Sequence, residues 1–191
     1  MNLTGKNLLF LGSSVTYGSA SGGVSFADLM AQQLGCTCIK EAVSGTTLAD
    51  LAPSSYISRL KALDLPQKPD LFICQLSTND ATRNIPLADV ERAIRRIVGH
   101  VQDTFGCPVL FYTGTFFESP AYRDMIDLLY RLREESPFHI LDLYHDPDMC
   151  AVATDDYARY MSDPIHPTLV GYRDWWTPKF IEACRQIQEG N

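Results

Sequence analysis

Short apolar runs recur along the chain, and each ends in a polar or glycine-bearing stretch. Five segments, most of them such runs, read as strands: Leu8 to Leu11, Thr37 to Glu41, Leu71 to Gln75, Val109 to Tyr112 and His139 to Leu143. Between them the apolar spacing becomes helical, over Phe26 to Leu34, Leu87 to Phe105, Ala121 to Glu134 and Leu169 to Gln188, and more weakly over Ser54 to Leu63. In the longest of these, Val90, Ala93, Ile94, Ile97, Val98 and Val101 share one face, while Glu91, Arg92, Arg95 and Arg96 lie off it. Strand and helix patterns that alternate in this way predict an α/β fold, with helices on both faces of a parallel sheet and right-handed crossovers.

The chain has 191 residues, 46% hydrophobic and 20% charged, with no repeat, low-complexity tract or linker. Residues 1–191 therefore read as a single domain. A net charge of -7 argues against nucleic acid and anionic membranes as partners. No apolar run is long enough to cross a bilayer. The opening MNLTGKNLLFLG reads as the first strand rather than a secretion signal. The six cysteines, Cys36, Cys38, Cys74, Cys107, Cys150 and Cys184, form no CxxC pair. They read as reduced thiols of a cytoplasmic protein, without a zinc site. His100, His139 and His145 lack paired metal-ligand spacing, so no metal is expected. No phosphate-loop or dinucleotide fingerprint is present, so no cofactor is expected either. From Asp146 to Asp163 the chain is acidic and tyrosine-rich, including Asp155 and Tyr157, and reads as a loop with short helical turns.

The candidate chemistry lies in loops that follow strands, which is where open parallel sheets bind ligands. After the first strand come Ser13 and Ser14. Ala42 to Leu48 follows the second strand and contains Gly45; Gln75 to Asp80 follows the third and contains Asn79. Near the C-terminus stands SDPIHP, with Asp163 and His166. A serine hydroxyl needs a base to become a nucleophile. Ser14 with His166 as base, and Asp163 to orient the imidazole, supplies that chemistry. The N–H groups of Ser14 and Gly45 and the side-chain amide of Asn79 are candidate donors to an oxyanion. Asp80 reads as structural, accepting from nearby backbone N–H groups. Phe116 and Phe117 leave the fourth strand at the same edge. They either wall an acyl pocket or pack beneath a loop, and Tyr17 is a weaker candidate for the pocket. One of Trp175 and Trp176 is expected to pack on the sheet.

These blocks resemble the SGNH hydrolase superfamily, the GDSL-type esterases and lipases. Gly12 to Val15 (GSSV), Gly45 in AVSG, Ser77 to Asp80 (STND) and Asp163 to His166 (DPIH) stand in the family's order across most of the chain. The resemblance implies a flavodoxin-like three-layer α/β/α sandwich around a mostly parallel five-stranded sheet. It also implies Ser14 as nucleophile, and Gly45 and Asn79 as oxyanion donors. There are two departures. Ser13 stands where the family has aspartate, and Ser77 stands where the third block opens on glycine, so a side chain at 77 is placed to shift the Asn79 loop. The G-x-S-x-G elbow of α/β-hydrolases is absent, because Thr16 occupies its last position. The expected function is hydrolysis of small carboxylic esters, with acetyl esters of carbohydrates leading. The alternatives are acyl transfer at the same site and a non-catalytic carbohydrate-binding domain.

Overall fold

The computed structural model describes residues 3–150 and 154–190. The side chains of Cys150 and Asp155 lie outside the described residues. The strands are β1 (Asn7–Gly12), β2 (Thr37–Ala42), β3 (Leu71–Gln75), β4 (Val109–Tyr112) and β5 (His139–Leu141). They form one sheet in the order β2-β1-β3-β4-β5, and every pairing is parallel. The chain steps from β1 outward to β2, then returns to the other side of β1 for β3. That reversal opens a crevice at the carboxyl end of β1.

The helices are α1 (Ser14–Tyr17), α2 (Phe26–Leu34), α3 (Tyr56–Ala62), α4 (Thr78–Thr82), α5 (Leu87–Thr104), α6 (Pro120–Arg133), α7 (Pro147–Cys150), α8 (Thr154–Tyr160), α9 (Leu169–Gly171) and α10 (Thr177–Glu189). A π turn, Tyr172–Trp176, joins the last two.

The two-residue period of the strands divides the core in two. Leu9, Leu11, Phe72, Cys74, Val109 and Phe111 point to one face and pack with the buried stripes of α3, α5 and α6. Leu8, Phe10, Leu71, Ile73, Leu110 and Tyr112 point to the other and pack with α2, the π turn and α10. The result is the three-layer α/β/α sandwich. Phe26 is the centre of the second layer: its ring stacks on Phe180 at 3.8 Å and meets Tyr112 edge-on at 5.3 Å. Burying such a ring contributes about 1.5–3 kcal/mol. Trp176 is fully buried in the same cluster, whereas Trp175 stacks on Tyr160 at 4.4 Å.

Local signals set the helix ends. Ser25 and Asp28 form a capping box at the start of α2, and Gly35 ends that helix at φ +64°. Ser119 accepts the N–H of Tyr122 at the start of α6, with Pro120 in the first turn. β5 stops at Leu141, two residues before the sequence pattern ends. There the N–H groups of Leu143 and Tyr144 leave the ladder and donate to Thr113 Oγ1, at 2.8 and 2.9 Å. The five cysteines with described side chains are free thiols, with Cys36 and Cys38 sulfurs 3.6 Å apart. Among the described residues, no helix is long and apolar enough to cross a membrane.

Candidate active site

β1 delivers Ser14 directly from its carboxyl end, as the first residue of α1. A hub beneath the turn fixes its course. The side-chain oxygen of Gln75, the last residue of β3, accepts from the Ser13 N–H at 2.8 Å, the Ser13 hydroxyl at 3.2 Å and the Thr16 hydroxyl at 3.0 Å. With its proton committed to Gln75, Thr16 accepts from the Tyr112 hydroxyl at 2.6 Å. Tyr172 donates to the Val15 carbonyl at 2.7 Å. Burial raises the Tyr112 and Tyr172 hydroxyls above the ordinary phenol value, so both act as protonated donors. Gly12 is required by packing, because a Cβ there would lie 1.7 Å from Thr16 Oγ1.

His166 arrives from the far end of the chain. Its segment folds back through a bridge between Met161 and Pro167, and the Ser162 N–H donates to the His166 carbonyl at 2.8 Å. The imidazole Nε2 lies 2.8 Å from Ser14 Oγ, and Nδ1 lies 2.8 Å from Asp163 Oδ2. A carboxylate only accepts, so Nδ1 carries the proton on this side. The Nε2 lone pair then faces the serine hydroxyl. Asp163 Oδ1 accepts the N–H groups of Ile165 and His166, each at 2.8 Å. Burial works to raise the Asp163 carboxyl. The Ile165 N–H and the bonds from His166 outweigh it and hold the group below the ordinary carboxylate value. Ser14 is largely buried, at 8% exposed. The arrangement can pass a proton from hydroxyl to imidazole and back.

The glycine block stands beside this pair. Gly45 adopts φ +79°, which favours glycine, and its carbonyl accepts from Arg83 at 2.8 Å. Asn79 Nδ2 donates to the Thr46 carbonyl at 2.8 Å, joining the third block to the second. Asp80 is buried and accepts from the N–H groups of Leu48 and Ala49, both at 2.8 Å, the structural role its sequence position suggests. Ser77, in place of the block glycine, has φ -71°. Any residue adopts that angle, so the backbone at this position does not call for glycine. Ser77 Oγ and Gln75 Nε2 are buried without a hydrogen-bond partner among the described residues.

Of the two readings open for Phe116 and Phe117, the packing one describes Phe117, which is 8% exposed and lies on Tyr122 and Tyr144. Phe116 is 48% exposed against Tyr144, and Tyr17 is exposed with Lys40 over its ring. The sequence reading also passed over a second His–Asp pair. Asp142 and His145 repeat the spacing of Asp163 and His166, and His145 Nδ1 lies 2.8 Å from Asp142. Asp142 also accepts from Tyr130 at 2.9 Å and Thr113 at 3.3 Å, so this pair braces the end of β5.

The profile of the GDSL-like Lipase/Acylhydrolase family matches residues 10–173. No curated protein matches the chain in sequence. Among solved structures, it is similar to a Lactobacillus plantarum protein, with a TM-score of 0.82 and 20% identity over 97% of this chain and 99% of that one. A G-D-S-L family protein from Desulfitobacterium hafniense aligns with a TM-score of 0.74 and 18% identity, covering 94% of this chain and 98% of its own. A family two carbohydrate esterase from Cellvibrio japonicus aligns with a TM-score of 0.73 and 19% identity, covering 99% of this chain and 63% of its own. At these identities the structural likeness speaks to the fold. The family match, by contrast, runs from the strand that presents Ser14 to beyond His166, and on that basis the chain belongs to the GDSL-like lipase/acylhydrolase family of SGNH hydrolases.

Proposed function

We propose that this protein is a serine esterase that hydrolyses small carboxylic esters through an acyl-enzyme. The observation that carries the reading is the 2.8 Å approach of His166 Nε2 to Ser14 Oγ, with Asp163 2.8 Å behind the ring. Ser14 Oγ attacks the ester carbonyl as its proton passes to Nε2. In this reading the carbonyl oxygen becomes an oxyanion that the N–H groups of Ser14 and Gly45 and the second N–H of the Asn79 amide receive. The intermediate collapses, the alkoxide leaves with the proton from Nε2, and the acyl group stays on Ser14. Water then attacks that ester, giving its proton to His166, and the second collapse returns the proton to Ser14 and releases the acid. Asp163 stabilises the imidazolium in both halves.

Acetyl esters of carbohydrates are the substrate class this reading favours. The similarity to family two carbohydrate esterases supports that choice. Phe116, exposed at the same sheet edge, supplies an apolar face for substrate. A panel of p-nitrophenyl esters of rising acyl length, run beside acetylated oligosaccharides, tests it. Turnover that is highest for acetyl and disappears in Ser14→Ala supports the reading. Equal turnover in Ser14→Ala overturns it.

A further inference from the structure

We propose that Arg59 is a positioning residue that sets the spacing between the Ser14 turn and the Gly45 amide. The proposal rests on the esterase reading, because it concerns where the oxyanion donors stand. Those donors come from separate loops, and nothing in the covalent chain holds Ser14 at a fixed distance from Gly45.

Arg59 lies on α3, and its side chain is 10% exposed. All three guanidinium nitrogens are engaged. Nη2 donates to the Gly12 carbonyl at 2.7 Å and to Thr46 Oγ1 at 3.2 Å. Nη1 donates to the Glu41 carbonyl at 3.1 Å and to its carboxylate at 2.8 Å. Nε donates to the Ser54 carbonyl at 3.1 Å. Gly12 ends β1 just before the serines, and Thr46 follows Gly45 directly. One nitrogen thus bridges the loop of the nucleophile and the loop of the oxyanion donor. The Thr46 hydroxyl in turn donates to the Val43 carbonyl at 2.7 Å, closing the Gly45 turn. A direct link between the loops, from the Val43 N–H to the Gly12 carbonyl, is longer at 3.3 Å.

The same guanidinium lies over the Tyr56 ring, 5.3 Å from its centroid, and the Tyr56 hydroxyl reaches the Gln75 oxygen at 3.5 Å. The clamp and the hub beneath Ser13 are therefore in contact. A planar fork suits this set of acceptors. Lysine brings a point charge that cannot span Ser54, Glu41, Gly12 and Thr46 together. A misplacement of about 1 Å in such a site costs on the order of 10²-fold in rate.

The test uses Arg59→Lys and Arg59→Ala with p-nitrophenyl acetate. In folded Arg59→Lys we expect kcat to fall roughly 10²-fold while KM stays near the wild-type value. Added methylguanidine should restore part of kcat in Arg59→Ala and none in Asn79→Ala, a rescue that a purely structural role would not give. Wild-type kcat in Arg59→Lys, or no rescue of a folded Arg59→Ala, would overturn the proposal. Amide hydrogen exchange over residues 43–46 gives a second readout that needs no turnover. Faster exchange there in Arg59→Lys, with the rest of the sheet unchanged, supports the clamp; unchanged exchange overturns it. If the wild-type protein shows no Ser14-dependent turnover, the esterase reading fails, and the exchange measurement still decides the role of Arg59.

Discussion

Replacing Gly12 with alanine should damage this protein more than its single added methyl suggests. The new Cβ would lie 1.7 Å from Thr16 Oγ1, 2.6 Å from Thr16 Cβ and 2.8 Å from Gln75 Oε1. Thr16 is fully buried and β-branched, so it has few rotamers to escape into. Moving its hydroxyl breaks the bonds to Gln75 at 3.0 Å and to Tyr112 at 2.6 Å. Leaving the buried Tyr112 hydroxyl unpaired costs about 1–3 kcal/mol. Crowding the turn costs about 1–3 kcal/mol more. For a domain of this size each kcal/mol lowers Tm by about 2–4 °C, so the expected drop is roughly 5–20 °C. Gly99→Ala is the matched control. Gly99 lies inside α5 with nothing within 4 Å of an added Cβ, and alanine there should stabilise by about 0.5–1 kcal/mol. Thermal unfolding followed by circular dichroism measures both variants. A Gly12→Ala protein that melts within about 2 °C of wild type would refute the packing argument.

Other consequences follow from the same geometry. Asn79→Ala should lose on the order of 10²–10³ in kcat on p-nitrophenyl acetate, measured with Tm held as a folding check. Asp163→Asn should lose at least about 10²-fold, because the ring loses its orienting carboxylate. Steady-state kinetics near the wild-type rate would show that another group orients His166. Phe26→Ala should cost about 3–5 kcal/mol, read as a lower midpoint in urea, since its ring meets five other aromatic side chains. Burial works to raise the Asp142 carboxyl, but hydrogen bonds from His145 and Tyr130 outweigh it and depress the group in the folded state. Its contribution is therefore complete above the unfolded carboxylate range near pH ~4 and is lost as pH falls through the lower folded value. Urea midpoints between neutral and acid pH should fall less steeply in Asp142→Asn than in wild type.

β1, β3 and β4 were legible because each is a short apolar run, and the long helices because their buried faces repeat every three to four residues. α1 and α4 escaped notice because they span 4 and 5 residues, too few to show a period. β5 ends two residues short of its sequence pattern, since its end is set by Thr113, a side chain just past the end of β4. In the site, residue type and spacing pointed to Ser14, Gly45, Asn79, Asp163 and His166. Spacing alone did not separate Asp163 and His166 from Asp142 and His145; what separates them is the fold-back through Met161 and Pro167. Phe116 and Phe117 are chemically alike, and only the path of the loop decides which one faces outward. Gln75 did leave a trace, as the polar end of a strand otherwise apolar. Arg59 left none, because a charged residue on a weakly patterned helix ordinarily reads as a solvated one.

Mass-spectrometric mapping of a fluorophosphonate adduct puts the activated serine to the plainest trial. The proposed mechanism requires one adduct, on Ser14, with labelling slowed by orders of magnitude in His166→Ala. Folded wild-type protein that takes no label, or takes it elsewhere than Ser14, would contradict it.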